Sequence, residues 1–443
     1  MLSKDLHESL SAMNATVMTL CEHETASIGE SWNAVEKVIT PRLTSEFEQL
    51  QAQTKVDFCQ FSRRVIKARQ YVGTVSVGGY TLDIVPKVDR RNQNARQNLL
   101  QMLVLAGLVP CIEAGLAGLD VNAMSMLDIF MTVFLRQLTL EWRRGRIFSY
   151  RKLESNRQFL RGKLIFQQQI AQNLLHPERF FTKADEFVCD VPLCRLLRSA
   201  VSSCRVLAGT EIVQRQAMEL LPEFEGISEL AVTKEQLRTI ATTRQSERFA
   251  PVVELAKLIV SGCGPDRPGA RRTFSMLFDM NVIFERMIGR LLSKVTLEQG
   301  HTTQLQDSGR ALLIKDTKPQ FRLRPDVVIF DRANGPFCIV DTKWKHLDLN
   351  APHCGVDQAD VYQAYAYGKE YACKRVILLF PRVDEFDPHV ATYLHTPGGC
   401  DSPRIEICTV NVSHPLKGRL WGKLTDDLRQ MLFANYFASH EAR

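Results

Sequence analysis

The sequence predicts a mixed α/β chain, α+β overall, whose C-terminal domain has a mixed β-sheet flanked by helices. A small β-rich module and a helical region precede that domain. Three observations lead to this fold class. Short alternating runs with turn residues occur before residue 90, helical patterns fill the middle of the chain, and strand-like apolar runs separated by helical ones follow residue 300.

Length and composition indicate a multidomain globular protein. A chain of 443 residues is too long for one ordinary core, and its 45% hydrophobic and 24% charged residues are typical of soluble proteins. The net charge of +7 is compatible with nucleic-acid binding. Twelve cysteines without a C-x-x-C pair predict buried, reduced thiols. Without a signal-peptide pattern or an unbroken apolar span, we expect a cytoplasmic protein with no membrane partner.

Composition changes along the chain predict four segments. The Gly- and Pro-rich stretch at Ser261–Arg272 is the best linker candidate. The expected segments are an N-terminal helical segment at 1–53, a β-rich binding module with helices at 54–150, a helical middle region at 151–265, and a catalytic domain at 266–443.

The module at 54–150 starts with short strands. Alternating residues in Tyr71–Val77 and Tyr80–Val85 flank Gly78-Gly79, which predicts a hairpin. Helical patterns follow at 94–106 and 124–142. Because no catalytic constellation is present, we expect this module to bind a partner. The basic cluster at 143–146 is either a solvated helix end or a phosphate contact.

The middle region is expected to contain only helices and loops. Asp190 followed by Pro192 is typical of a helix start, with Asp190 as the N-cap.

The catalytic domain is expected to alternate helices and strands around one sheet. A hairpin is predicted where Asn334-Gly335-Pro336 separates two β-type runs. The helix after it leads to a strand expected to run parallel to the hairpin. The predicted helices are 273–292, 355–371 and 424–437, and the predicted strands are 311–316, 327–330, 337–340, 375–380, 391–394 and 405–410.

Two carboxylates and a lysine meet at this hairpin. Asp326 opens the first strand, Asp341 ends the second, and Lys343 shares the face of Asp341 because strand side chains alternate. Hard carboxylate oxygens suit Mg²⁺, with Mn²⁺ as the alternative, and the lysine can orient or deprotonate a water or offset charge on a phosphate. This pattern favours metal-assisted phosphodiester hydrolysis. The plainer interpretation is a hairpin with surface charges.

Two further side chains are candidates for the same site. Glu285 falls on an apolar helical stripe, where a carboxylate is costly unless it is paired or metal-bound. We therefore expect Glu285 to be the third metal ligand beside Asp326 and Asp341, the alternative being an ion pair with Arg290. Gln363 lies four residues before Tyr367 on the helix after the hairpin and is expected to orient water. Candidate DNA contacts are Arg324, Lys345 and Tyr367.

These motifs resemble the PD-(D/E)xK nuclease superfamily, through Pro325-Asp326 and Asp341-Thr342-Lys343. The chain as a whole is similar to the McrC family, the nuclease subunit of McrBC-type restriction systems. The matching motifs extend from about residue 56 to 380, and Cys194 departs from the asparagine expected in the family. They are Tyr71-Val-Gly73, Ile84-Val-Pro-Lys87, Leu160-Arg-Gly-Lys163, Asp190-Val-Pro-Leu193, Phe284-Glu285, Arg324-Pro-Asp326, Asp341-Thr-Lys-Trp-Lys345 and Asp360-Val-Tyr-Gln-Ala-Tyr-Ala-Tyr367.

The resemblance implies that the chain is a DNA endonuclease subunit. Such a subunit joins and stimulates a McrB-like AAA+ GTPase hexamer and cuts double-stranded, modified DNA. The absence of a Walker A sequence fits a motor supplied by a partner. The resemblance also implies that the module at 54–90 inserts into that ring. Two alternatives are a stand-alone repair nuclease of the same superfamily and a non-catalytic adaptor that activates a GTPase.

Overall fold

The computed structural model groups the chain into two compact units. The first comprises Met1–Cys111, Leu119–Met126 and Leu277–Arg443, and the second comprises Ile112–Gly118 and Leu127–Met276. These units cut across the four predicted segments, whose functional division stays a prediction. The structure describes residues 16–87, 94–110, 116, 119, 121, 124–229, 234–264, 272–348, 350–382, 388–394, 402–412 and 420–440. Most of the predicted linker and residues 1–15 lie outside them.

The first described residues form strands, so the expectation of a helical segment over 1–53 is wrong for this part. Met18 and Leu20 are fully buried and their strand neighbours are half-buried, which is the two-residue period of a strand. The alternation covers only five residues and was therefore missed. The elements are β1 (Val17–Cys21), β2 (Thr25–Ile28), β3 (Val38–Ile39) and the helix α1 (Pro41–Thr54).

The predicted hairpin of the β-rich module is confirmed. Its strands pair antiparallel, and Gly78 and Gly79 turn the chain with φ of 59° and 90°, a region that favours glycine. The hairpin is buried apart from its first tyrosines, and β1 pairs in parallel with its second strand. The elements are β4 (Cys59–Phe61), β5 (Val65–Ala68), β6 (Tyr71–Val77), β7 (Tyr80–Val85) and α2 (Ala95–Leu105).

The second unit contains a sheet where only helices and loops were expected. Only two residues of its three strands are buried, and polar side chains interrupt the apolar alternation that would have predicted these strands. The expected N-cap role of Asp190 is also wrong: Val191 occupies the cap, and Asp190 instead pairs with Arg195 and accepts from Ser228. The elements are α3 (Met126–Arg144), β8 (Ser149–Arg157), β9 (Lys163–Leu164), α4 (Phe166–Asn173), β10 (Phe180–Val188), α5 (Pro192–Leu207), α6 (Glu211–Leu220), α7 (Lys234–Thr239) and α8 (Ala250–Gly262).

The chain from residue 273 begins with a strand, which corrects the expected helix over 273–292. Phe274 and Met276 are buried alternately, and the helix starts only after Asp279, whose side chain accepts the Asn281 N–H at 2.9 Å. The elements are β11 (Thr273–Asp279), α9 (Met280–Glu298), β12 (Thr302–Leu305), β13 (Ala311–Lys315), β14 (Lys318–Arg322), β15 (Val327–Phe330), β16 (Pro336–Thr342), α10 (Gln358–Glu370), β17 (Arg375–Arg382), β18 (His389–Tyr393), β19 (Arg404–Asn411) and α11 (Leu420–His440).

A six-stranded mixed sheet confirms the expected mixed α/β fold class, but the predicted strand 311–316 lies outside it, in a separate pair of strands. The order of the six strands is β12-β15-β16-β17-β19-β18, with β15 antiparallel to β16 and β17 parallel to β16. The helix α10 connects the parallel pair and packs on both strands. Tyr367 on α10 and Tyr371 directly after it join the strand residues Val376 and Leu378 in one buried cluster. This packing fixes α10 against the end of β16.

Two expectations from composition concern thiols and membranes. None of the described cysteines forms a disulfide, and several of them are buried, as expected. Among the described helices, none combines the length and the apolar content that a membrane crossing needs.

The close packing of α10 generates a prediction at Gly368. A Cβ atom there would lie 2.4 Å from the Pro403 Cβ and 3.1 Å from a Val376 methyl. We expect Gly368→Ala to lower the free energy of unfolding by about 1–3 kcal/mol, because an overpacked core strains its neighbours. Urea unfolding measures this change. Ala364→Gly, at a buried alanine of the same helix, is the comparison for a cavity, and no loss in Gly368→Ala would show that α10 moves freely.

Candidate active site

The ends of two paired strands bring Asp326 and Asp341 together. Val327 pairs with Val340 in the antiparallel ladder, so Asp326 lies opposite Asp341. Asp341 is 3% exposed and Asp326 is half-buried. The strands are apolar and buried up to this point, which places two like charges at the margin of the core.

Asp326 is held by the residue after Asp341. The Thr342 N–H and hydroxyl both donate to Asp326 Oδ2, at 2.7 and 2.6 Å. Burial raises the pKa of Asp326, and these hydrogen bonds and the Lys343 charge oppose the rise. Thr342 was expected to point to the opposite face, yet its hydroxyl reaches Asp326. The sequence carried no signal for this contact.

Asp341 is the carboxylate of the site whose pKa is raised most clearly. Burial and then repulsion from Asp326 raise its pKa to about 7, although Lys343 acts in the opposite direction. Lys343 Nζ forms an ion pair with Asp341 Oδ2 at 2.8 Å. This one ammonium offsets only part of the negative charge, because Asp326 lies beside Asp341.

Lys343 connects the strand to α10. Its ammonium lies 3.1 Å from Asp360 Oδ1 and donates to Gln363 Oε1 at 2.8 Å. Burial lowers the pKa of Lys343, but Asp341 and Asp360 outweigh that effect and raise it to about 12. Lys343 is thus a fixed cation. Sequence analysis missed Asp360 as a partner, although its position three residues before Gln363 on one helix was a usable signal.

Glu285 lies at the other side of Asp326. Its carboxylate accepts from the Gln306 amide, and Gln306 accepts in turn from Arg324. Burial raises the pKa of Glu285, and the charge of Asp326 adds to this rise. The partner of Glu285 is thus Gln306, not the Arg290 of the alternative interpretation. Gln306 belongs to no motif, and sequence analysis missed it.

The donor set fits a magnesium ion that keeps much of its water. Within the described ranges, no three His, Cys, Asp or Glu side chains converge tightly enough to form a closed metal cage. Mg²⁺ usually takes only one or two carboxylates and completes its octahedron with water and phosphate. Asp341 and Asp326 supply such a pair, and the two neighbouring carboxylates favour a cation because Asp326 repels the charge of Asp341. Glu285 would act through a bound water.

The candidate DNA contacts differ in their accessibility. Arg324 is exposed beside Gln306. Lys345 already pairs with Asp357 and Asp360. Tyr367 is 3% exposed, interacts with the Gln363 amide and donates to the Arg324 carbonyl at 3.2 Å. Burial and neighbouring carboxylates raise its pKa to about 12. This position favours a supporting role for Tyr367.

A buried carboxylate from the N-terminal strands positions the site strand. The Trp344 indole N–H donates to both Glu22 oxygens, at 3.1 and 3.0 Å, and the Trp344 ring packs on Phe284 at 5.3 Å. Trp344 stands between Lys343 and Lys345, and Phe284 precedes Glu285. Through the Trp344 ring, Glu22 therefore contacts both the segment that carries Lys343 and Lys345 and the helix that carries Glu285. Sequence analysis did not single out Glu22 or Trp344.

Glu22 makes the stability of the chain pH-dependent. Burial raises its pKa from 4.5 to about 7, partly opposed by Trp344 and Lys87. Between these pH values the native state holds a proton that the unfolded chain has lost, so the free energy of unfolding falls as pH rises. We expect Glu22→Gln to remove this fall and to stabilise the chain above pH 7 by about 2–3 kcal/mol.

Urea unfolding of parent and variant across this pH window measures the effect. Glu24→Gln is the control, because the pKa of Glu24 is lowered. Its substitution should destabilise the chain above its ordinary pKa, the opposite sign. An equal difference between Glu22→Gln and parent at acid and neutral pH would contradict the assignment.

Comparisons with known proteins match this geometry. The sequence model described as "McrBC 5-methylcytosine restriction system component" matches residues 66–381. A chain of the refined half-complex from a tetradecameric assembly of Thermococcus gammatolerans McrB AAA+ hexamers with bound McrC has a TM-score of 0.71 and 20% identity, covering 94% of this chain and 100% of that chain. A chain of the cryo-EM structure of the Thermococcus gammatolerans McrBC complex has a TM-score of 0.50 and 25% identity, covering 63% of this chain and 88% of that chain. No curated protein matches the sequence.

The family match compares sequences, whereas the structural match compares folds. The family match covers well over half of the sequence and includes the strand ends that carry Asp326 and Asp341. The first structural likeness extends over nearly the whole chain and concerns the fold. The chain belongs to the McrBC family of restriction-system components and has the fold of its McrC subunit.

Proposed function

We propose that this chain is the DNA-cleaving subunit of a restriction complex and hydrolyses phosphodiester bonds with Mg²⁺, or Mn²⁺ as the alternative. One observation carries the proposal: Asp341 is buried opposite a second carboxylate, Asp326, with the ammonium of Lys343 at 2.8 Å. Membership of a restriction-system family supports a nuclease role in general. The strand-hairpin placement of the three residues supports a PD-(D/E)xK mechanism.

The residues divide the work by their charge and burial. Asp341 and Asp326 offer oxygens on one side of the site, and Glu285 offers a carboxylate beyond Asp326. A bound Mg²⁺ would acidify a water and stabilise negative charge on the phosphate. Thr342 keeps Asp326 oriented through two short hydrogen bonds, so this carboxylate needs little reorganisation to bind the ion.

Lys343 is proposed as a charge stabiliser. Its pKa is raised to about 12 by Asp341 and Asp360, which outweigh burial, so it is not a general base in this arrangement. Asp341, Asp360 and Gln363 lie 2.8, 3.1 and 2.8 Å from its ammonium, so all three N–H donors have partners that hold the charge in place. The ammonium is thus held beside the place where charge develops on the phosphate.

The proposal includes an AAA+ partner. The chain contains no Walker A sequence, so it has no recognisable motor of its own. The McrC of Thermococcus gammatolerans is bound to McrB AAA+ hexamers. By this likeness we propose a McrB-like AAA+ ring as partner, with GTP as its nucleotide, and double-stranded DNA carrying 5-methylcytosine as the target of the complex. Reduced cysteines fit a cytoplasmic location for this activity.

The exposed apolar surface of the chain favours the second unit as the contact with that partner. The strands β6 and β7 of the module at 54–90 are buried, so they offer little surface for insertion. By contrast, Phe148, Tyr150 and Phe187 stack together while 38%, 72% and 56% exposed. A cluster of exposed aromatic rings is typical of a protein interface. We assign the partner contact to this aromatic cluster.

The proposed function predicts that cleavage depends on Asp341 and Lys343. We expect Asp341→Asn to remove a metal ligand and Lys343→Ala to lower the rate of Mg²⁺-dependent cleavage by roughly 100- to 1000-fold, the usual effect of losing a preorganised charge-stabilising donor. The loss in Asp341→Asn should be at least as large. The measurement is cutting of methylated plasmid by the chain assembled with its AAA+ partner.

Two controls separate chemistry from assembly. Asp348→Asn removes an exposed carboxylate a few residues from the site and should cut as the parent does. Stimulation of the partner's nucleotide hydrolysis should survive in all three variants. Cleavage at the parent rate in Asp341→Asn would sink the nuclease assignment and leave the adaptor interpretation, whereas cutting by the chain alone without nucleotide would favour a stand-alone nuclease.

The second prediction concerns the aromatic cluster. Tyr150→Ser with Phe187→Ser should weaken co-purification with the AAA+ partner by more than about tenfold, because buried aromatic anchors dominate interface energy. Ile212→Ser with Met218→Ser removes equally exposed apolar side chains of the same unit and should leave binding unchanged. Undiminished binding by the aromatic variant would place the interface elsewhere.

A further inference from the structure

Two strands beside the site form a ribbon separate from the main sheet. Residues 311–322, here called the ribbon, pair only with each other, as β13 with β14. Asp316 and Thr317 make the turn between them with φ of 49° and 64°, so both turn residues have positive φ, as in a type I′ hairpin. The ribbon is thus a two-stranded hairpin with a tight tip and an irregularity at Phe321, whose φ is 54°.

The ribbon is exposed on both faces. Ile314 and Phe321 are 75% and 72% exposed, and nearly every other residue of the two strands is exposed too. A two-stranded hairpin is marginal by itself, and exposed apolar side chains on such an element indicate a contact surface. Its base, however, is fastened: the Leu323 N–H donates to the Arg310 carbonyl at 3.0 Å, and the Arg310 guanidinium lies 4.5 Å from the Tyr371 ring.

The charge of the ribbon selects an anionic partner. Lys315 and Lys318 are directly opposite each other in the ladder, and like charges at such positions are destabilising. In the part of the chain that the structure describes, neither lysine forms an ion pair. Arg322 adds a third cation, and Asp316 is the only carboxylate of the ribbon. A polyanion would relieve the repulsion at the tip.

The ribbon leads directly into the active site. The segment before it contains Gln306, which contacts Glu285, and the segment after it reaches Asp326 within four residues. The base of the ribbon is therefore joined to the segments that carry the candidate metal ligands. The major groove of duplex DNA admits a two-stranded β-ribbon, and its walls are lined by phosphates.

We propose that the ribbon is a DNA-binding arm that enters a duplex groove next to the phosphate to be cut. Lys315 and Lys318 contact phosphates, and Ile314 and Phe321 contact the groove wall. This inference rests on the proposed nuclease function, because it takes duplex DNA as the ligand. It gives the chain a grip on DNA of its own, separate from any DNA contact of the partner ring.

The test is binding of the full chain to a short duplex, measured by fluorescence anisotropy in EDTA so that no cleavage occurs. We expect Lys315→Ala with Lys318→Ala to weaken binding about tenfold at low salt, equally for all sequences, and to reduce the slope of log K against log salt by about 2. Ile314→Ser with Phe321→Ser should weaken binding and leave that slope unchanged. Lys67→Ala with Lys374→Ala removes two exposed lysines elsewhere and should bind as the parent does.

Three results would contradict the inference, and each can be told apart from a failure of the nuclease assignment. Parent-like affinity and slope in the lysine variant, or no binding by the parent chain even at low salt, overturn the inference. So does a variant that keeps its DNA affinity but no longer co-purifies with the AAA+ partner, because the ribbon is then a protein-docking element. None of these results touches the nuclease assignment, which depends on loss of cleavage in Asp341→Asn. Thermal unfolding of each variant verifies that it is folded.

Discussion

Two neighbouring carboxylates buried at a strand end are the constraint on which the rest of the site depends. Asp326 and Asp341 lie in a place that water reaches poorly, so burial raises the pKa of both, and repulsion from Asp326 adds to the rise at Asp341. The protein compensates in part with Lys343, which lies beside Asp341, and with the hydrogen bonds from Thr342. The remaining excess of negative charge favours the binding of a cation.

The sheet and one helix keep this strained arrangement in place. The strand that carries Asp341 has a neighbour on each side, antiparallel β15 and parallel β17, so Asp341 cannot turn to solvent without breaking the ladder. The crossover helix α10 brings Asp360 and Gln363 to the ammonium of Lys343. Glu22 reaches the same strand through Trp344. Three elements distant in sequence thus hold one short segment.

The parts of the fold that were predicted from sequence are those with strong local patterns. The hairpin around Asn334-Gly335 and the parallel strand β17 follow from apolar runs and turn residues, and both are confirmed. The sheet of β8, β9 and β10 was missed because few of its residues are buried and polar side chains interrupt its apolar alternation. Gln306 and Glu22 were missed because their partners are far away in sequence. Gln306 contacts Glu285 and Glu22 contacts Trp344, and no local sequence pattern predicts such contacts.

The charge balance of the site explains why a nuclease would need cations outside it. Five carboxylates surround the strand end, against three cations, which leaves a formal charge of −2 that one divalent ion neutralises. The carboxylates are Asp326, Asp341, Asp357, Asp360 and Glu285, and the cations are Arg324, Lys343 and Lys345. Lys343 and Lys345 are already engaged with these carboxylates. A site that is at best neutral does not attract phosphate over distance, so attraction must come from exposed cations nearby, and the lysines at the tip of the ribbon are placed to supply it.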